Sequence, residues 1–465
     1  MDQIVSRFLV RSVVHLERSM KLHSLTIAAL VLLILSGVLY WSGHHKAADD
    51  SAKISADAPP PILKLDEKSI TQLALKKKDA DPVFLTKSSS GNWQISQPKS
   101  LRADQSLVSG LASALSALNS ERVVEDKASD LQTFGLDQPS LEVDLTEKDN
   151  KTQKLMLGGD TPAGGAVYAM LVGDPRLFTV ASYTKTSLDK TLNDLRDKRL
   201  LPVNADKISR IDIARKNGDI EFARNKDDWQ IVKPQPMRAD GTQVGDLVRG
   251  LTNAKMDLSS ADAKQESSEF AHATPVATVK VTDESGTQEL QIRTNKDNYY
   301  GKSSAVEGAY KVDSGLGKAL AKGLDEFRDK KLFDFGYREP NKIELHNGTK
   351  TYFLTRGTGG SEDWWSNGKK MDPANVESVI SDLRDLTASS FPTSGFSNPA
   401  IEVAVASDDG KRTEKLQFAK SGDHYIAQRE NEPALYQLDS NAVDGLLEAA
   451  DELRPAATQA AQKKP

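Results

Sequence analysis

Residues able to hold a metal or act as nucleophiles are few in this chain and stand apart. Of its seven histidines only His272, His346 and His424 lie beyond residue 60, none at ligand spacing from another, and there is no cysteine. Zinc sites draw on His and Cys at short, defined separations, so neither a structural nor a catalytic zinc site is expected. His44 and His45 adjoin an apolar stretch, where weak metal binding competes with the ordinary polarity of membrane-flanking residues. No Gly-x-Ser-x-Gly elbow occurs, and no Ser-x-x-Lys in a convincing setting, so acyl transfer is not supported. The glycine-rich "LGGDTPAGGAVY" at residues 157–168 lacks the lysine of a phosphate loop and does not run from a strand into a helix. It reads as a hairpin turn. Carboxylates are spread throughout, and a catalytic pair among them would have to depart from the repetition described next. The expectation is no enzyme, no catalytic residue, no cofactor and no metal; a hydrolase would need a cleft between repeats.

That repetition dominates the sequence. "WQISQPKSLRAD" at residues 93–104 returns as "WQIVKPQPMRAD" at residues 229–240, and a shortened third copy runs from Trp365 through "SNGKKMD" to Asp372. Trp93, Trp229 and Trp365 open the copies; Arg102 and Arg238 precede Asp104 and Asp240, with Lys370 at that place before Asp372. Such self-similarity indicates a duplicated structural unit. After each aspartate, apolar residues recur at helical spacing: Val108, Leu111 and Leu115; Val244, Leu247 and Leu251; Val376, Val379 and Leu383. The aspartate therefore reads as a helix N-cap, and Asp372-Pro373 strengthens this because proline suits the first helical position. The stretch before it reads as a hairpin whose tryptophan lies under the helix, with a stacking platform for a sugar or base as the rival reading.

The second half of each unit also recurs. Proline-led strands follow Phe134, Phe270 and Phe396, and two further short strands end at "LFTVAS", "AYKVDS" and "LYQLDS". A closing helix then ends in "DLRDKRL", "EFRDKKL" and "ELRP", which aligns Arg196, Arg328 and Arg454 in a last turn that favours cations. The fold class expected is α+β, three tandem antiparallel-sheet-plus-helix repeats after one N-terminal transmembrane helix. The domains expected are residues 61–202, 203–336 and 337–455, each near the usual roughly 100–150 residues of a domain, with a tail at 456–465.

Residues 22–43, "LHSLTIAALVLLILSGVLYWSG", contain no charged residue and are long enough to span a hydrocarbon core as a helix. Arg7, Arg11, Arg18 and Lys21 precede it, and Tyr40 and Trp41 suit the far interface. Residues 1–21 are then cytoplasmic, and the repeats lie on the other side. A cleaved signal peptide beginning at Met20 is the competing reading, opposed by the length of the stretch and the lack of a clear cleavage site. Residues 44–60, rich in Ala, Asp, Ser and Pro, read as a solvated tether. Of 61 Lys and Arg and 66 Asp and Glu, six and five fall in the first 60 residues, leaving 55 against 61 in the remainder. That balance argues against nucleic acid.

The anchor, "NWQISQP" followed by "LRAD", the "FGLDQP" turn and "DLRDKRLL" together resemble a bacterial family of membrane-anchored repeats of unknown function, commonly encoded beside gliding-motility-type ABC transporters. The resemblance covers residues 61–455 and is clearest in the first two repeats. It implies an inner-membrane, periplasmic accessory or scaffold protein whose partners are the lipid bilayer and an ABC-2-type permease or associated subunit, and it brings no catalytic residues. The alternative is a cell-envelope glycan-binding module using Tyr168, Tyr299, Tyr300 and Tyr425 as surface platforms.

Overall fold

The computed structural model describes residues 60–226, 228–259, 263–335, 340–357 and 363–457. The expected membrane segment and tether, with Arg7, Arg11, Arg18, His44 and His45, lie outside the described residues. Among the described residues no helix is long and apolar enough to cross a membrane.

Three antiparallel sheets follow one another, each made the same way. In the first, β1 (Ile70–Lys77) sits inside the sheet and β2 (Val83–Lys87), β3 (Trp93–Gln97) and β4 (Leu101–Arg102) meander outward from it. Helix α1 (Gln105–Ser116) follows, then the edge strand β5 (Arg122–Glu125). The chain returns to the free side of β1 as β6 (Leu141–Glu147) and meanders the other way through β7 (Thr152–Asp160), β8 (Ala166–Leu171) and β9 (Leu177–Ala181), ending in α2 (Ser182–Leu188) and α3 (Leu192–Leu195). The second sheet repeats this with β10 (Arg210–Ala214), β11 (Ile220–Asn225), β12 (Asp228–Lys233), β13 (Met237–Arg238) and α4 (Gly241–Thr252), then α5 (Ala263–His272), β14 (Thr274–Asp283), β15 (Gly286–Asn295), β16 (Asn298–Ser303), β17 (Ala309–Val312), α6 (Ser314–Ala321) and α7 (Leu324–Phe327). The third comprises β18 (Lys342–Asn347), β19 (Lys350–Arg356), β20 (Trp364–Ser366), β21 (Lys369–Lys370) and α8 (Pro373–Asp385), then β22 (Ile401–Ser407), β23 (Arg412–Ser421), β24 (His424–Arg429), β25 (Leu435–Asp439) and α9 (Ser440–Asp451). The fold is α+β. Each second half holds four strands where three were expected.

Each sheet buries one face under its helices, and each has its own core. The helical stripe is buried in all three units: Val108, Leu111 and Leu115, their counterparts Val244, Leu247 and Leu251, and Val376, Val379 and Leu383 are at most 4% exposed. The helix starts share one chemistry. Asp104 accepts from the Leu107 amide, Asp240 from Thr242 and Gln243, and Asp372 from Ala374 and Asn375. These bonds satisfy first-turn N–H groups that have no intrahelical partner. Replacing any one of the three by alanine is expected to cost about 1 kcal/mol, measured as a lowered denaturant midpoint for the unit that holds it.

The cores do not divide where the sequence placed the boundaries. Leu200, Leu201 and Val203 belong to the second core, and Leu332, Phe333 and Phe335 to the third, so the divisions precede the expected 202/203 and 336/337. The reason is a recurrent backbone bond. The Leu200 amide donates to Ala254 O and that of Leu332 to Leu386 O, as Ile62 donates to Leu118 O, and so each apolar lead-in is fastened beside the chain leaving the first helix of its own sheet. By contacts the chain forms two compact units, one ending at Asp197 and one beginning at Lys198 that holds the second and third sheets.

One element was not anticipated. The sequence pattern predicts the approach to a strand through Phe270, but α5 occupies this stretch and the strand starts at Thr274. Phe270 and Ala273 form a separate small cluster with Tyr300 and Ala309, while the neighbouring Tyr299 packs against the main core. Alternate residues of a strand point to opposite faces, so α5 covers the face of the second sheet that its other helices leave open. Arg293 holds it there, its guanidinium 4.6 Å from the Phe270 ring and donating to the Phe270 and Ala271 carbonyls.

Candidate functional site

The repeated hairpin ends in a two-residue strand, and its geometry shows what the motif does. Gln94 pairs with Arg102, Gln230 with Arg238, and Trp365 with Lys370. The residue equivalent to Trp93 and Trp229 is therefore Trp364, not Trp365. Trp364 is 6% exposed and in the third core, whereas Trp365 is 39% exposed. Two adjacent tryptophans defeated the alignment, because strand register decides which one faces the core. Trp93 is buried and Trp229 is half-buried against the second core. Gln105 ties the first hairpin to its helix: its side chain accepts from the Trp93 amide at 2.7 Å and donates to the Trp93 and Ala103 carbonyls.

The residue before each cap pairs with the segment that closes the sheet. Ala103 bridges Arg196, Ala239 bridges Arg328, and Met371 bridges Pro455. The capping residues' own amides donate to Leu195, Phe327 and Arg454. Arg454 thus stands where Leu195 and Phe327 stand, and Pro455 is the counterpart of Arg196 and Arg328; α9 brings the chain to the bridge one residue later than the sequence alignment implied. Arg196 and Arg328 follow their short helices as extended C-cap residues and lie outside the last turn.

This bridge places the motif arginine beside an aspartate of the closing segment. Arg102 Nε lies 3.5 Å from Asp197, whose side chain is 9% exposed, and Arg238 Nη1 lies 2.5 Å from Asp329. At the third copy both partners change: Lys370 pairs with Asp363 at 2.9 Å, and Ala456 occupies the aspartate's place, its amide donating to Lys370 O. The joint loss of arginine and aspartate was the sequence signal for this pairing.

In the unit beginning at Lys198, Arg238 reaches beyond its own sheet. Its Nη2 donates to Lys331 O, its Nε lies 3.5 Å from Glu432, and the guanidinium sits 5.9 Å from the Tyr436 ring centre. Tyr436 donates to Glu432 at 2.9 Å. Arg429 donates to the other oxygen of Glu432 at 2.8 Å, to Glu414 at 2.9 Å and to the Leu332 carbonyl. Glu414 also receives the Asp334 amide and Arg412. Arg328 lies 3.6 Å over the Phe391 ring, whose edge meets Tyr436. Carboxylates and guanidinium groups thus alternate from the second sheet into the third.

Burial pushes the Asp329 carboxyl up, with Arg238 opposing. Burial alone would lower the Arg429 guanidinium, but Glu414 and Glu432 outweigh it and hold it above its ordinary value. The Tyr436 phenol is raised, chiefly by burial. A concave surface of about 490 Å³ lies beside this network, lined by Arg429 and Glu432 with Lys415, Gln417 and Gln428.

The four tyrosines proposed as platforms are not equivalent. Tyr300 and Tyr425 are buried, at 8% and 4% exposure, which removes them from the surface. Tyr299 and Tyr168 are half-buried; Tyr299 lies against Gly317, where a Cβ would come within 2.0 Å of its ring, and Tyr168 meets Phe134 edge-on at 4.8 Å. Adjacent strand residues face opposite ways, but the second sheet is covered on both faces here, so neither Tyr299 nor Tyr300 is left open.

The Tyr425 phenol donates to Asp444 at 2.7 Å, and burial, with Asp444 adding to it, pushes its pKa up to about 12. A raised folded-state pKa gives stability that is present below the unfolded value near 10 and is lost as pH rises toward 12. Unfolding free energy is expected to fall across pH 10 to 12, and Tyr425→Phe to flatten part of that slope, measured by denaturation at stepped pH. Among the described residues no group of three or more His, Asp or Glu side chains could hold a metal, and His272, His346 and His424 each bond locally.

No curated protein matches this chain. The family model described as "Domain of unknown function (DUF4340)" matches twice, at residues 93–230 and 229–401. Both matches begin in the third strand of one sheet and run into the next, so residues 196–203 and 328–335, which connect the sheets, fall inside the matched unit. The chain belongs to this family of unknown function, and carries its domain as a tandem repeat.

Proposed function

We propose that this chain is a non-enzymatic, membrane-tethered scaffold. On this reading residues 22–43 anchor it in a bacterial inner membrane, the N-terminus is cytoplasmic and the repeats stand in the periplasm. There it serves as an accessory to an ABC-2-type, gliding-motility-like transporter, contacting the permease or an associated subunit. The observation that carries the reading is the use to which the repeated residues are put. Trp93, Asp104 and their counterparts serve core and cap, and Arg102 and Arg238 bind the segment that leads into the next sheet. Repeated residues spent on cap, core and closing segment suit a spacer or platform. The charge-free segment at residues 22–43 and the Pro/Ala/Asp stretch after it support a tether, which raises the local concentration of the repeats near a membrane partner.

Photo-cross-linking from surface positions of the repeats in intact membranes, followed by mass spectrometry, tests the proposal. Recovery of an ABC permease or its periplasmic subunit is the expected result. Recovery of envelope polymer alone, or of no partner, would overturn it.

A further inference from the structure

The second and third sheets have separate cores, and relative motion is the default for adjoining folded bodies unless something fastens them. Their connection is short and its backbone is bonded to both sides, Asp329 N to Arg238 O on the second, and on the third Lys330 O to the Ala388 amide and Leu332 N to Leu386 O. Side chains add to this fastening. Among the described residues Arg238 combines hydrogen bonds to Asp329 and the Lys331 carbonyl on the connecting segment with an ion pair to Glu432 at 3.5 Å and the Tyr436 ring on the third sheet, while Arg328 lies over Phe391 beside it.

We propose that Arg238 is a latch that makes the second and third sheets one rigid body, so that a load or partner taken up on one sheet is transmitted to the other. Guanidinium suits this role because its planar fork bonds two groups on one edge while its face lies against an aromatic ring; an ammonium group offers no such plane. The receiving residues are themselves held. Glu432 takes both Tyr436 and Arg429, and Arg429 is anchored to Glu414 and to the first residue of the third core, Leu332. The latch therefore closes on a pre-set surface. Lys370 and Ala456 occupy the equivalent places in the third sheet, which removes the arginine and its aspartate together.

The absence of cysteine allows a direct test in the full-length, detergent-solubilised chain. Spin labels at Lys216→Cys and Lys411→Cys, exposed positions on the second and third sheets, report the distance between them by electron–electron double resonance. A control pair at Lys411→Cys and Glu448→Cys reports on the third sheet alone. The unaltered joint is expected to give one narrow distribution. Arg238→Ala is expected to widen it by about two-fold or more while the control stays narrow, since freed bodies reorient. Arg238→Lys is expected to fall between.

An inter-sheet distribution as narrow in Arg238→Ala as in the parent overturns the proposal. If the control pair widens too, Glu432→Gln, which keeps side-chain shape and removes the charge, is read by the same criterion. The outcome is independent of whether a transporter subunit is recovered by cross-linking, so failure of the latch and failure of the scaffold reading are distinguishable.

Discussion

Glu414→Ala is expected to destabilise the unit holding the second and third sheets by about 3 kcal/mol, the lower end of the cost of breaking a buried ion pair from one side. Glu414 is 5% exposed and accepts from Arg429, Arg412 and the Asp334 amide. Removing its carboxylate leaves the Arg429 guanidinium, whose side chain is 11% exposed, without its best-buried counter-charge, and leaves the Asp334 N–H without its acceptor. The loss stays at the low end because Glu432 still holds Arg429 Nε at 2.8 Å. The converse is part of the same expectation. The double variant Glu414→Leu with Arg429→Met, which removes both charges and restores apolar volume, is expected to recover most of the loss, because desolvating the pair offsets much of its attraction. Chemical denaturation of the three proteins, followed by circular dichroism, measures both effects. Equal losses in the single and double variants would show that the pair itself, and not the unpaired charge, carries the stability.

The second large effect separates two neighbouring tryptophans. Trp364→Ala is expected to cost about 3 to 5 kcal/mol, through lost burial and the cavity left in the third core. Trp365→Ala is expected to change stability by about 0.5 kcal/mol or less, the usual range for a surface position outside any buried network. Both variants remove one indole, so composition is matched and the difference reports only which face of β20 each residue occupies. Thermal unfolding of the two proteins side by side is sufficient. Equal losses would mean that the pairing of Trp365 with Lys370 misassigns the register.

Much of the local structure was legible in the sequence because it depends on nearest neighbours. An aspartate followed by apolar residues at helical spacing caps and packs a helix wherever it occurs, and Asp104, Asp240 and Asp372 each do so through bonds spanning two or three residues. The antiparallel character was likewise readable from alternating strands and short turns. Other features depended on pairings across the fold. The equivalence of Arg454 with Leu195 and Phe327 rests on a backbone bond from residue 372 to residue 454, which no local alignment contains. Helix α5 was missed because its weakly amphipathic residues precede a proline-led strand, and only the open face of β15 to β17 gives Phe270 somewhere to bury.

The joint shows the same division. The recurrence of Arg-Ala-Asp and Arg-Asp-Lys was visible as text, but which arginine meets which aspartate was not. By itself, then, the sequence determined that three like units follow one another, where the first helix of each starts, which stripe it buries and that no thiol chemistry is present. Only the tertiary structure decided which tryptophan enters the third core, that Tyr300 and Tyr425 are interior, and that Arg238 meets Asp329, Glu432 and Tyr436. Helix caps and hydrophobic stripes are settled within a turn or two of chain. Sheet register and an arginine's choice among many acids depend on which distant backbones are brought together, and that is known only once the sheets have formed.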